Sequence, residues 1–254
     1  MLVGAFETAF HQTIPLERRI YGIPWEWYEE YGIQRLGYHG ASHSYVAETL
    51  TDMYGSTGKA ISCHLGGSGS LCAIDDGKSV DTSFGISLQV GVIQSNRCGD
   101  IDPFIVPFLQ KKGLSLDQVL DGLTKRGGLL GISGVSNDLR DVQEAADAGN
   151  ERARLAIDVF CNGIVRHIGA YYAELGGLDH LVFTGGIGEH GTRIREAVCH
   201  QLKHMGILLD DEKNQSCTGA NTVISRTDSP VTIHVIPANE ELGVARKTFA
   251  YLRA

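Results

Sequence analysis

The 254-residue sequence has no uninterrupted apolar run of the roughly 18 residues that a membrane-spanning helix needs. Its first residues, Met1 to Thr8, also lack a basic segment followed by an apolar one, so no membrane partner and a cytoplasmic location are expected. Positive charge is in deficit. The 22 Lys and Arg stand against 30 Asp and Glu, a formal charge of -8, the reverse of the footprint with which proteins hold nucleic acid. No nucleic-acid partner is expected. The six cysteines (Cys63, Cys72, Cys98, Cys161, Cys199, Cys217) form no C-x-x-C pair and have no ligand partner at zinc spacing; they read as reduced thiols. There is neither an internal repeat nor a low-complexity linker.

What is present is a globular composition, 43% hydrophobic and 20% charged, which can bury a core and excludes disorder. The length suits one large domain or two modest ones. Glycine is in excess, at 32 residues where average usage is about 7%, so many turns must be tight.

Strand and helix patterns alternate along the chain. Residues 60–83 read as strand, glycine-rich turn, strand, turn and strand, with Asp76-Gly77 as the hairpin signal. A helix is expected to start at Pro103, and Ser115 and Gln118 have capping-box spacing ahead of a helix over 116–125. Further helices are expected over 138–148 and 151–175, the second carrying Ala156, Phe160, Ile164, Ile168 and Tyr171 on one face, with His167 and Tyr172 read as packing residues. Strand 180–184 leads into a glycine loop, Gly185 to Glu189, and a helix over about 192–205. Strand 231–236 passes through Pro237 into a short helix near Asn239 to Glu241. Such alternation implies an α/β or α+β sandwich.

Several clusters can carry chemistry. Gly66, Gly67 and Gly69, interleaved with Ser68 and Ser70, offer the bare N–H groups of a phosphate cradle, a composition shared by flexible hairpins. The strand, glycine loop and helix around residues 180–205 present helix N-terminal N–H groups to an anion but lack the dinucleotide fingerprint. Arg97, Asp100 and Asp102 sit on one glycine turn, where the arginine can clamp a phosphoryl and the acids can hold a metal or anchor the arginine. His39, Ser42 and His43 share a glycine-bounded loop, a setting typical of clefts and helix caps. His200 and His204 are four apart, but Gln201 stands where a zinc protease carries glutamate, and no complete G-x-S-x-G elbow occurs. The clusters together point to phosphoryl transfer from a nucleotide, with the acceptor unnamed.

These residues lie in ordered motifs that resemble the acetokinase family. Phe6 to Pro15 resembles its FDTAFHQTMP, Gly37 to His43 its GFHGTSH, and Cys63 to Ser70 its CHLGNGAS. Ser79 to Ser83 and Arg97 to Pro103 resemble SVDTS and RSGDIDP, and the likeness continues through 128–134, 136–140, 183–189 and 239–242. The resemblance implies the actin-like ATPase superfold, α/β with ribonuclease-H-like domains and nucleotide between them, and a homodimer. It implies reversible conversion of ATP and acetate to ADP and acetyl phosphate, with Mg2+. It divides the chain into a remnant of an N-terminal domain over 1–11, a nucleotide-binding domain over 12–240, and a segment over 241–254 that returns to the N-terminal domain.

By position, His39 and Arg97 match residues that stabilise the phosphoryl in flight, and Glu7 matches an active-site aspartate. His64, Leu65, Gly66, Gly67 and Ser68 match the phosphate hairpin. Asp138, Leu139 and Arg140, with Gly186, Ile187, Gly188, Glu189 and His190, match the nucleotide site, and Glu240 a magnesium ligand. Glu7 replaces aspartate, and Gly67 and His190 replace asparagines. The likeness starts where the family's N-terminal domain is ending, so about its first third has no counterpart here, including an asparagine that helps bind magnesium and an arginine that grips the carboxylate. Propionate or butyrate kinase, a nucleotide-binding and dimerising module without transfer activity, and a sugar kinase or ATPase of the same superfold are the alternatives. Apolar surface and strand edges that the absent part would cover are expected to promote self-association.

Overall fold

A computed structural model describes residues 4–253. Residues 1–3 of the expected 1–11 segment and residue 254 of the 241–254 segment lie outside the described residues. Six strands build one mixed sheet: β1 (Lys59–Leu65), β2 (Gly69–Asp75), β3 (Lys78–Thr82), β4 (His180–Thr184), β5 (Thr222–Val223) and β6 (Thr232–Val235). Their spatial order is β3-β2-β1-β4-β6-β5. The first three meander antiparallel, β1, β4 and β6 run parallel, and β5 closes the far edge antiparallel. The β2–β3 turn puts both Asp76 (φ +44°) and Gly77 (φ +78°) in the left-handed region, the type I′ geometry that Asp-Gly favours.

Parallel neighbours need crossover connections, and helices supply them. Short α1 (Leu16–Arg19) and α2 (Trp25–Tyr31) precede α3 (Gly40–Tyr54). Between β3 and β4 come α4 (Ile105–Lys111), α5 (Leu116–Lys125), α6 (Gly128–Ser133), α7 (Leu139–Asp147) and α8 (Glu151–Leu175); then α9 (Gly185–His190), α10 (Thr192–Gln201), α11 (Asp211–Ser216) and α12 (Glu240–Arg253). No helix among the described residues is long and apolar enough to cross a membrane.

The period-2 alternation of the strands divides the core into two layers. Ile61, Cys63 and Leu65 of β1, Leu71 and Ala73 of β2, and Leu181 and Phe183 of β4 join the larger cluster under α7, α8 and α10. Ala60, Cys72, Ile74 and Val182 face the other way, against Val46, Ala47 and Leu50 of α3. By the same alternation Ser62, His64 and Ser70 lie on the α3 side. Helix α8 runs over the expected 151–175, and its Ala156, Phe160, Ile164, Ile168 and Tyr171 are all buried. The Asn150 side chain caps it by accepting from the Ala153 N–H at 3.0 Å. His167 bonds the Gly163 carbonyl of its own helix at 2.9 Å, in keeping with a packing role. The capping box at Ser115 and Gln118 is formed.

Several expectations need correction: Ser42 and His43, expected in a loop with His39, lie in the first turn of α3. The helix placed at Pro103 starts at Ile105, because Asp102 Oδ1 accepts the Phe104 N–H at 2.9 Å and holds residues 102–104 in an Asx turn. The glycine loop at 185–189 is a helical turn, α9, that springs directly from β4. Gly185 makes this possible at φ +75°, where a Cβ would lie 2.8 Å from the Leu65 carbonyl oxygen. The helix expected to reach Met205 stops at Gln201 and is followed by a 3-10 turn, Lys203–Met205, closed by left-handed Gly206. Helix α12 is longer than the short helix expected and packs along α3, with Arg246 3.6 Å from Glu48. The boundary expected at 11/12 falls inside a 3-10 turn, Ala9–Thr13.

Because α8 is the central support of the larger layer, Ile164→Ala should cost about 2–5 kcal/mol. Leu155→Ala, at an exposed site on the same helix, should stay within about 0.5 kcal/mol. Urea midpoints of the two variants check this.

Candidate active site

The site forms where the carboxyl end of β1 meets the start of α3. Gly40 comes so close to the residue 6–8 segment that a Cβ there would stand 2.2 Å from the Glu7 carbonyl oxygen, which accepts the Gly40 N–H at 2.9 Å. Glu7 Oε2 in turn accepts the Ala41 N–H at 3.4 Å. His39, the residue before α3, has a left-handed backbone (φ +55°), an unfavourable conformation for a non-glycine residue that the surrounding packing must enforce. Its ring lies tilted by 31° against that of His64, centroids 4.2 Å apart, and His39 Nδ1 is 2.9 Å from Ser70 Oγ. His64 Nδ1 is 2.8 Å from Ser42 Oγ and 4.0 Å from Glu240 Oε1. Glu7, His39, His64 and Glu240 are thus brought together from four segments.

Arg97 reaches this group from the long connection after β3. It donates to Ser68 Oγ at 3.1 Å and to Gln94 Oε1 at 3.0 Å, and among the described residues no carboxylate lies within 4 Å of it. The reading of the acids as anchors for this arginine is therefore corrected: Asp100 accepts the Gly91 N–H at 2.8 Å, and Asp102 holds the Phe104 turn. Burial, followed by the fields of His64, His11 and Arg97, pushes His39 down to about 3. Burial alone takes His64 to about 4. Both imidazoles are neutral at pH 7. Glu240 is pushed up, first by burial and then by the neighbouring Glu7 charge. Two carboxylates without a cation between them are the donor set that a hard divalent ion prefers.

The β1–β2 turn has a second side. Gly66 and Gly67 line a cleft of about 670 Å³ together with Asp138, Leu139 and Arg140 at the start of α7 and Gly186, Ile187 and His190 of α9. Asp138 caps α7 through the Arg140 N–H, and the Arg140 guanidinium beside it lowers its carboxyl to about 2. Five residues expected at the phosphate hairpin and nucleotide site stand apart from this cleft, His64 among them in the group with His39 and Glu240. Leu65 is buried in the core, Gly188 is buried against Phe183, Ser68 turns toward Arg97, and Glu189 accepts the Ala238 N–H at 2.9 Å. Ser95, Asn137, Gln143 and Gly191 also line the cleft. Asn137 lies inside the motif Ser136 to Arg140, whereas Gln143 is visible only as the next turn of α7.

A model of the acetokinase family matches residues 2–246. The chain belongs to the acetokinase family. It is 47% identical over 256 residues to an acetate kinase of Treponema denticola, covering 99% of this chain and 64% of that protein. To a propionate kinase of Citrobacter rodentium it is 50% identical over 248 residues, covering 96% of this chain and 61% of that protein. The crystal structure of Porphyromonas gingivalis acetate kinase superposes with a TM-score of 0.94 at 39% identity, over 98% of this chain and 63% of that one. The fold is therefore the actin-like ATPase fold of acetate kinases. This acetokinase chain spans less than two thirds of the length of these relatives.

The acetokinase chain makes two predictions here. A Cβ at Gly186 meets no atom within 4 Å, so Gly186→Val should fold normally while filling the cleft. Its melting temperature should shift by less than about 3 °C, read from thermal melts. The second concerns pH. His11, His39 and His64 titrate far below 6.5 in the folded chain, so the unfolded chain binds more protons between about pH 6.5 and 4. Stability is complete above that window and falls on acidification. Buried His11 alone, with a folded value of about 4, should cost roughly 2 kcal/mol by pH 5, read from urea melts at pH 7 and 5.

Proposed function

We propose that this chain carries the nucleotide-binding and phosphoryl-stabilising groups of a kinase that transfers the terminal phosphoryl of ATP to a short-chain carboxylate, acetate first, reversibly giving ADP and an acyl phosphate. The observation that carries this reading is the β1–β2 turn. One side of it lines the cleft with Gly66 and Gly67, and the other side, through Ser68, holds Arg97 close enough to His39 to depress its titration.

A carboxylate oxygen attacks the γ-phosphorus, and the bond from phosphorus to the β,γ-bridging oxygen breaks, leaving ADP. An ionised carboxylate has no proton to lose, so the reaction asks for no general base. A neutral imidazole that is reluctant to accept a proton suits the step as a hydrogen-bond donor. The protein's task is positioning and charge neutralisation: Arg97 faces the charge on the equatorial oxygens while His39 donates to one of them. Glu240, with Glu7 beside it, would hold Mg2+, which supplies charge neutralisation of the phosphate oxygens when bound. Cytoplasm is the compartment we assign.

A homodimer also belongs to this proposal. Trp25 and Trp27 of α2, and Phe104, Phe108, Leu116 and Leu120 around α4 and α5, are exposed apolar side chains of the kind that a second copy covers. Propionate as the preferred acceptor is the second reading, favoured by the propionate kinase relative. Relative kcat/KM for acetate, propionate and butyrate separates the two.

The test is trapping of acyl phosphate as hydroxamate from magnesium ATP and acetate. Product formation is expected, and Arg97→Ala should lower turnover by about 100- to 1,000-fold, the range for one transition-state donor. A loss below threefold would remove Arg97 from the mechanism. Absence of product from a folded chain that binds ATP would leave the nucleotide-binding module in its place.

A further inference from the structure

Beneath His39 lies a chain of four hydrogen-bonding groups that ends in the core. His39 Nδ1 is 2.9 Å from Ser70 Oγ; Ser70 Oγ is 2.9 Å from His43 Nε2; and His43 Nδ1 is 2.9 Å from Ser62 Oγ. Ser62, Ser70 and His43 are fully buried, so water cannot complete any bond that the protein leaves open. Burial holds His43, like His39, in the neutral form, so each ring has one N–H and one lone pair to offer.

Three arrangements of protons make all three bonds, because a serine oxygen can accept twice: both rings can donate to Ser70, which leaves the Ser70 hydroxyl proton unused, and in the other two the donors run in series. In one, Ser62 O–H donates to His43 Nδ1, His43 Nε2–H donates to Ser70, and Ser70 O–H donates to His39 Nδ1, leaving the His39 proton on Nε2. In the reverse arrangement His39 Nδ1–H donates inward and the series ends with the Ser62 hydroxyl proton unused. Among the described residues His43 is the one hydrogen-bond partner of the Ser62 side chain. The reverse arrangement therefore orphans a buried O–H, and so does double donation to Ser70, whose hydroxyl has only the two rings as partners among the described residues; either carries the full cost of desolvation. The outward arrangement orphans nothing: His39 Nε2 makes no hydrogen bond to any described residue and its N–H is free for a ligand.

We infer that Ser62, His43 and Ser70 are positioning residues that fix His39 as the Nε2–H tautomer, so that it meets a phosphoryl oxygen with a donor and never with a lone pair. The inference rests on the phosphotransfer reading only for the identity of the group that receives this N–H. The tautomer itself is a property of the ligand-free chain. Sequence alone gives no hint of it, because the three residues come from α3, β1 and β2 and meet only through the sheet.

Long-range proton–nitrogen NMR of the histidine-labelled chain reads the tautomer directly, with His39→Gln assigning the resonance. The expected wild-type spectrum shows the proton of His39 on Nε2, and Ser70→Ala should move a substantial fraction of it to Nδ1. Ser62→Ala, which leaves Ser70 in place, should produce a smaller shift in the same direction and guards against a Ser70 variant that fails to fold. In the hydroxamate assay Ser70→Ala should lower kcat about tenfold with the KM for ATP changed less than twofold, because the lost interaction is made in the transition state. An Nδ1–H tautomer in the wild type, or an Nε2–H spectrum that both serine variants leave untouched, would overturn the inference. Failure of the kinase reading looks different: no acyl phosphate would form from magnesium ATP and acetate while the tautomer result stood.

Discussion

A dry polar layer between the sheet and α3 is the constraint on which the site depends. Ser62, Ser70, Ser42, His43 and His11 are buried there, in contact distance of one another rather than of water. In such a layer an ion is far costlier than a dipole, so the imidazoles stay neutral and every ring nitrogen needs a partner of the right sense. That requirement aligns hydroxyls and rings, and it delivers two imidazoles, His39 and His64, to the surface in fixed orientation. The strained backbone of His39 belongs to the same design. Its left-handed conformation persists because Ser70 and the His64 ring hold the side chain while Gly40 lets the Glu7 segment press against the start of α3.

The β1–β2 turn links this layer to the cleft lined by Gly66, Gly67 and Arg140. Glycines at 66 and 67 leave backbone facing the cleft, whereas the hydroxyl of the next residue, Ser68, is taken up by Arg97 and Gln94. One short connection therefore sets the distance between what would hold the phosphates and what would neutralise the moving phosphoryl. A Cβ at Gly67 would meet only Ser95 Oγ, at 3.7 Å, so the glycine that departs from the family pattern is a choice of chemistry and not a demand of packing. Spanning under two thirds of its relatives, the chain keeps this linked pair of sites within a single sheet-centred core.

Much of the fold was legible. The alternation of β1 and β2, the Asp76-Gly77 turn, the capping box at Ser115 and the apolar stripe of α8 are local codes, written in periods of 2 and 3.6 residues. The misses have local causes too. Asp102 competes for the Phe104 N–H and delays a helix; a glycine-rich string that reads as a loop becomes α9 once Gly185 can press against the Leu65 backbone. Within the candidate site, motif likeness singled out Glu7, His39, Arg97, the glycine turn and the start of α7 as well as Glu189, whose side chain meets the entry to α12, and Leu65, which lies in the core.

The sequence by itself determined the class of the protein, strands β1 to β4 and β6 with helices α5, α7 and α8, and its membership of the acetokinase family, because these follow from local periodicity and from motifs that survive as strings of letters. Tertiary structure alone decided that Arg97 is released from Asp100 and Asp102 and given to Ser68, that Glu240 stands beside Glu7 and His64, and that Ser62, His43 and Ser70 run in series beneath His39. The reason is physical. A hydrogen bond is chosen by which groups are buried together and how many protons they have between them, and that account is settled only when distant strands pair and exclude water.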